Sequence, residues 1–169
     1  MLQETTLGAV YTHFEGINWG TLGTHAQGSD DPRLPPVAHV DDAFTWFHMA
    51  DGATFCGPEG YVDLLRGWRS AFPDGWWEIT ALQPTLQATG AGAICRSIFR
   101  GRHTGLLTTA LGVLPGTGTE VALPMCDIFH THQGRLLSIH SYFDLATLVR
   151  QLGRAPVAGL RPQHLFLVN

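Results

Sequence analysis

The chain has 169 residues, 44% of them hydrophobic and 14% charged, with a net charge of −4 at neutral pH. That length suits one domain with a substantial core, and the acidic balance provides no basic footprint for nucleic acid or an anionic membrane surface. All ten basic residues are arginine, and without a lysine neither a Schiff-base aldolase nor a lysine-tethered pyridoxal enzyme is open to this chain.

In chain order, Leu7–Trp19 is predicted as a first helix, with Val10, Phe14 and Ile17 near helical spacing. Residues 20–36, GTLGTHAQGSDDPRLPP, are turn-rich and read as a long loop. Asp41–Met49 reads as a short aromatic helix carrying Phe44, Trp46, Phe47 and His48, with Asp41 or Asp42 at its cap. After Gly57-Pro58, Glu59–Phe72 forms a second helix with the apolar stripe Tyr61, Leu64, Leu65 and Trp68, stopped by Pro73-Asp74-Gly75. Strands are then expected over Trp76–Leu82, Ala93–His103, Val121–His132 and Leu136–Tyr142, with a glycine-rich connection at Gly112–Gly118. Gln133-Gly134 has the length of a two-residue hairpin turn. Leu145–Leu152 closes the fold as a helix ended by Gly153, and residues 154–169 form a tail. Helices followed by a strand meander imply an α+β domain spanning 1–169. No run approaches the roughly 18 apolar residues of a membrane span, and MLQETTLGAV lacks the basic and apolar regions of a signal peptide. A cytoplasmic location is the expectation.

The residue that stands out is Asp127, an acid in a strand otherwise made of Pro124, Met125, Cys126, Ile128 and Phe129. Burying it is costly unless it is paired, or unless the raised pKa is put to use. A structural pairing with an arginine or a cross-strand histidine is the plainer alternative. With a clean turn at Gln133-Gly134, Asp127 would pair with His140 and Cys126 with Ser141, which sets Asp127 and Ser141 on opposite faces. Leu137, Ile139 and Phe143 fall on the core face with Ser141, so a bulge is expected to bring the two together. Trp46, Phe47, Trp68, Phe72, Trp76 and Trp77 are a dense aromatic set, mostly core. Cys56, Cys95 and Cys126 lack a CxxC pattern and read as buried thiols. His130 and His132 alternate on one face but have no evident third ligand, so no metal site is expected. No cofactor motif is present either.

Three segments carry a resemblance: GPEGYVDLLRGWRSAFPDGWWEI, FRGRHTG and HSYFDLATLVRQLG. Over roughly 44–153 they resemble the SnoaL-like polyketide cyclases of the NTF2-like superfamily. The resemblance implies a cone-shaped α+β barrel, N-terminal helices packed on a curved antiparallel sheet around one apolar cavity. It implies cofactor-free acid–base chemistry of the cyclase, isomerase or dehydratase (lyase) type in secondary-metabolite biosynthesis, on a small hydrophobic or aromatic polyketide- or terpenoid-like carbonyl compound. Epoxide opening and a non-catalytic binding role are the alternatives, and a homodimer is the superfamily's common assembly.

The family's aspartate base lies on the last strand, where this chain has Ser141. A serine cannot replace a carboxylate base. Asp144, in the Tyr142-Phe143-Asp144 segment, reads first as a helix cap. The acid–base role therefore falls on Asp127, with His103 of the G-x-H-x-G segment and Ser141 hydrogen-bonding a substrate oxygen. Trp68, Met125, Ile139, Phe143, His48 and Phe72 are the expected substrate-binding wall.

Overall fold

The structure, a computed structural model, describes residues 2–19, 37–87, 90–110 and 112–153. The 20–36 loop and the 154–169 tail of the sequence reading lie outside the described residues. The elements run α1 (Leu2–Trp19), β1 (Val40–His48), β2 (Thr54–Cys56), α2 (Gly57–Ala71), β3 (Trp76–Gln87), β4 (Gly90–Arg102), β5 (Leu107–Thr109), β6 (Gly112–Leu114), β7 (Glu120–His132), β8 (Arg135–Phe143) and α3 (Leu145–Gln151).

Six strands form one sheet in the order β2-β1-β8-β7-β4-β3, and β5 and β6 make a separate hairpin. Two expectations are corrected here. The sheet is mixed, because β1 runs parallel to β8, and among the described residues it does not close into a barrel. The first residues of the glycine-rich connection pair as β6 with β5.

A third correction concerns 41–49, which is strand β1 and not a helix. Phe44, Trp46 and His48 are buried while Thr45 and Phe47 are half-buried on the opposite face. That is a period of two, and an apolar run this short does not distinguish helix from strand without its partner. The partner is β8, with Trp46 opposite Ile139 and His48 opposite Ser141. Asp41 then does not cap a helix; its Oδ1 accepts from the Ala43 amide within the strand.

The two long helices behave as their patterns require. Helix α2 buries Tyr61, Leu64, Leu65, Trp68 and Ala71, and α1 buries Val10, Phe14 and Ile17. Together with the inward face of β7 (Val121, Leu123, Met125, Phe129) and with Leu136 and Ile139 they build the core. β3 runs on past Leu82 to Gln87 even though it contains Pro84. As the edge strand it has no outer partner among the described residues for the missing amide to serve.

The turn between β7 and β8 sets the register of the site. Gln133 and Gly134 both have positive φ, 50° and 79°, the primed turn whose twist matches that of the strands. His132 pairs with Arg135 and Thr131 with Leu136, but His130 pairs with Ser138. Leu137 is therefore the extra residue of a bulge. Beyond it the register is moved by one, so Asp127 lies opposite Ser141 and Leu136 takes the core position expected of Leu137. The cysteines divide: Cys95 is buried and Cys126 half-buried, whereas Cys56 is exposed at the start of α2.

Candidate active site

Along β7 the residues Val121, Leu123, Met125, Asp127, Phe129 and Thr131 point inward in strict alternation. Asp127 is 4% exposed. Its Oδ1 accepts a hydrogen bond of 2.5 Å from the Ser141 hydroxyl, and the Ser141 Oγ in turn accepts from Trp46 Nε1 at 2.7 Å. The direction of this chain follows from donor counting. An indole N–H can only donate, and a serine hydroxyl has one proton. With a lone pair of Ser141 taken up by Trp46, its proton is directed at the carboxylate.

Burial pushes the Asp127 carboxyl up to about 7, against the smaller opposing pull of the Ser141 hydrogen bond. The group therefore exchanges protons near neutral pH, as a general acid or base at that pH must. The neighbouring thiols respond to the same environment: burial first, then the Asp127 charge, push Cys95 up to about 12. Neither it nor Cys126, shifted upward for the same reasons, is a thiolate nucleophile.

Asp127 opens on an inner cavity of about 10 Å³, walled by His13, Phe14, Ile17, Trp46, His48, Leu65, Trp68, Trp77 and Met125. That is room for one water. A larger pocket of about 320 Å³ lies on the other side of His48 and Trp68, which line both. Phe143 lines this outer pocket together with Phe55, Leu64, Leu107 and Leu148. His48 and Trp68 thus form the partition between the two, their rings 6.5 Å apart. His48 is buried, and desolvation holds it below the usual histidine range despite the opposing charge of Asp51.

The residues singled out from sequence are distributed as follows. Asp127 and Ser141 meet, with Met125 in the same inner cavity. His48 and Trp68 divide the inner cavity from the outer pocket, and Phe143 belongs to the outer one. Phe72 stacks behind Trp68 at 5.5 Å, and Ile139 is fully buried in the core between Trp46 and Phe129. Neither lines the inner or the outer cavity.

His103 is not brought to Asp127. It follows the end of β4, eight residues from Cys95, the register partner of Asp127, or about 26 Å along an extended strand. It is fully buried against Phe72, with Nδ1 3.3 Å from the Thr117 hydroxyl. The glycines of its segment serve packing: a Cβ on Gly105 would stand 1.9 Å from the Ser70 carbonyl, and one on Gly101 3.0 Å from Gly75 Cα. Asp144 caps α3, accepting from the Ala146 amide at 3.0 Å. His130 and His140 face each other across the outer side of the sheet, ring centroids 5.5 Å apart, and the described residues contain no cluster suited to a metal.

Three wall residues escaped the sequence reading: His13, Trp46 as a donor, and Trp77. The signal for His13 was its place in the α1 stripe, at helical spacing from Val10 and Ile17. Its Nδ1 is 2.9 Å from the Tyr61 hydroxyl, which also lies 3.3 Å from His39 Nε2. Tyr61 has one proton, so it donates to one imidazole and accepts from the other. Burial, and then the neighbouring His39, hold His13 well below its usual range, and burial raises the Tyr61 phenol. His13 and Tyr61 are both neutral at pH 7.

The fold and a carboxyl in a small apolar interior define a class, the α+β proteins of NTF2/ketosteroid isomerase-like architecture. Within it the chain belongs to the SnoaL-like polyketide cyclase family, whose sequence model matches residues 37–152. Solved structures share the fold at low identity. One is a protein of Jannaschia sp. CCS1 described as a SnoaL-like polyketide cyclase (16% identity, 92% of this chain and 96% of that one, TM-score 0.69). TsrD from Streptomyces laurentii is similar at 21% identity (90% and 98%, TM-score 0.65). A Catenulispora acidiphila protein with a ketosteroid isomerase-like fold, in complex with trimethylamine, is similar at 17% (88% and 95%, TM-score 0.63). No curated protein matches the sequence. Among the described residues no helix is long and apolar enough to cross a membrane.

Proposed function

We propose that the protein is a cofactor-independent cyclase, isomerase or dehydratase that moves a proton on a polyketide- or terpenoid-like carbonyl compound, with Asp127 as the acid–base group. The observation that carries this reading is the position of Asp127: buried, oriented by Ser141, and pushed up to about 7. Resemblance puts the family's base where this chain has Ser141, and Asp127 is its direct partner across the β7–β8 pair. A carboxyl on the neighbouring strand then occupies nearly the space that the family's base would. As the ionised form it abstracts a proton activated by an adjacent carbonyl; the resulting acid returns it to the enolate or to a departing hydroxyl. Ser141 donates to the carboxylate and releases that bond when the acid forms. The substrate's flat body occupies the outer pocket, and its reacting carbon reaches Asp127 when Trp68 or His48 turns aside.

The test is turnover of a panel of β-polyketone and enone substrates. Asp127→Asn should abolish conversion while substrate binding, followed by tryptophan fluorescence, is retained. Ser141→Ala should keep activity but move the acidic limb of the pH–rate profile, where the base ionises, to higher pH, because the bond that favours the anion is gone. Full activity of Asp127→Asn would end the proposal.

One observation favours a second reading, a small-molecule binding protein without catalysis: the space that could hold a ligand, about 320 Å³, does not itself reach Asp127. On that reading Asp127→Asn changes neither affinity nor any substrate.

We further assign homodimerisation to the outer face of the sheet, where Phe47, Ile94, Ile98 and Ile128 are only half-buried and Pro124 and Tyr142 are exposed. Sedimentation equilibrium should give twice the chain mass, and Ile98→Glu with Ile128→Glu should return it to the monomer. A monomeric wild-type protein at micromolar concentration would exclude this assignment.

A further inference from the structure

We propose that the outer pocket binds an organic cation, an amine with apolar substituents, whose charge sits at Asp51 among the rings of Phe55, Trp68 and Phe143. The pocket gathers these groups around one residue. The His48 ring lies 5.6 Å from Phe55, 6.5 Å from Trp68 and 5.6 Å from Phe143, and its Nδ1 is 3.9 Å from Asp51 Oδ1. Trp68 and Phe143 are themselves 6.1 Å apart, edge to face. All five line the same space of about 320 Å³.

Asp51 is the unusual member. Its side chain is only 10% exposed, yet its sole hydrogen bond among the described residues is from the Ala53 amide to Oδ1, at 3.1 Å. Oδ2 has no partner among them. No arginine lines the pocket, and His48 is held neutral by desolvation. The other acid on the wall, Asp63, differs: it is 64% exposed and paired with Arg66 at 2.5 Å. Asp51 thus presents an acidic group to a pocket that has no arginine on its wall. A ligand cation pairs with that group where an anion or a neutral apolar molecule does not. Tryptophan and phenylalanine rings in the lining favour a weakly hydrated ammonium, which suits an alkylated amine better than a small, strongly hydrated metal ion.

The pocket shares His48 and Trp68 with the Asp127 cavity, so the amine is read as the handle of the proposed enzyme's substrate; that part rests on the reading above. Its binding site stands on its own residues, and the experiment separates the two because it measures no turnover. Choline and its neutral isostere 3,3-dimethylbutan-1-ol are titrated into the full-length protein by heteronuclear NMR, with the Trp68 indole signal as reporter. Choline should bind in the millimolar range and the alcohol about tenfold or more weakly. Asp51→Asn can still accept the Ala53 amide, so its fold and melting temperature are maintained while choline affinity falls about tenfold. Phe143→Leu should weaken choline severalfold, and Asp63→Asn should change it less than about twofold. Equal affinity for choline and the alcohol, or undiminished choline binding by Asp51→Asn, would overturn the proposal. So would the absence of any choline shift at Trp68.

Discussion

Asp127→Asn is expected to make the folded protein more stable above pH 7, by an amount of the order of 4 kcal/mol, and to make little difference at pH 4. Burial raises the carboxyl from 3.8 to about 7, and each pKa unit corresponds to about 1.4 kcal/mol. The sign follows from proton counting. Between roughly pH 4 and 7 the native state holds a proton on Asp127 that the unfolded chain has lost, so stability falls as pH rises through that window. Above it the loss is constant. Asparagine stays neutral throughout and escapes it. The substituted amide needs an acceptor near Ser141, a cost of order 1 kcal/mol, but that cost does not vary with pH. Urea unfolding of both proteins from pH 4 to 8 measures the difference directly. A gap that widens with pH shows that the acid is maintained against stability, as groups held for chemistry are. A flat gap would mean that Asp127 titrates like an ordinary carboxylate, and the acid–base reading would fail with it.

Gly105→Ala is the second large effect. The added methyl would stand 1.9 Å from the Ser70 carbonyl and 3.4 Å from Ala71 Cα. Those are backbone atoms at the end of α2, and the amides of Thr104 and Gly105 both donate to the Ala71 carbonyl there, at 2.9 and 3.1 Å. No rotamer change relieves such a contact; strand end and helix end must separate and give up these bonds. About 3 kcal/mol or more is expected, a drop in Tm of roughly 10 °C for a domain of this size. Gly67→Ala is the matched control. It lies inside α2 with nothing within 4 Å of its added methyl, and should stabilise by up to about 1 kcal/mol through helix propensity. Thermal melts of the two variants decide it. If Gly105→Ala melts with the wild type, the G-x-H-x-G segment owes its glycines to something other than this close approach.

Much of this molecule was legible before any coordinate. The α2 stripe, the four long strands, the Gln133-Gly134 turn, the Gly153 stop and the Asp144 cap (maintained by Ala146 and Thr147) all depend on neighbours within a few residues in sequence. Local periodicity and turn chemistry are sufficient for such features. The family could be recognised for a similar reason: its segments coincide with the elements that pack tightly, Pro58 at the start of α2 and Gly101–Gly105 against its end. The odd position of one acid among apolar neighbours was likewise visible in β7 itself.

What only the tertiary structure decided is which residues meet. Residues 41–49 have aromatic side chains at positions compatible with helix or strand, and it is parallel pairing with β8, some ninety residues away, that draws them out as β1. The same pairing delivers the Trp46 indole to Ser141. The bulge at Leu137 shifts one register by one residue, which in a period-two element is the whole difference between facing Asp127 and facing away from it. His103 matched a motif yet lies at the far end of β4, whereas His13 and His48, from α1 and β1, face the cavity. Sequence spacing carries distances along one element, but the site is assembled from α1, β1, α2, β3, β7 and β8. Burial, the cause of the Asp127 shift, exists only once they have closed over it.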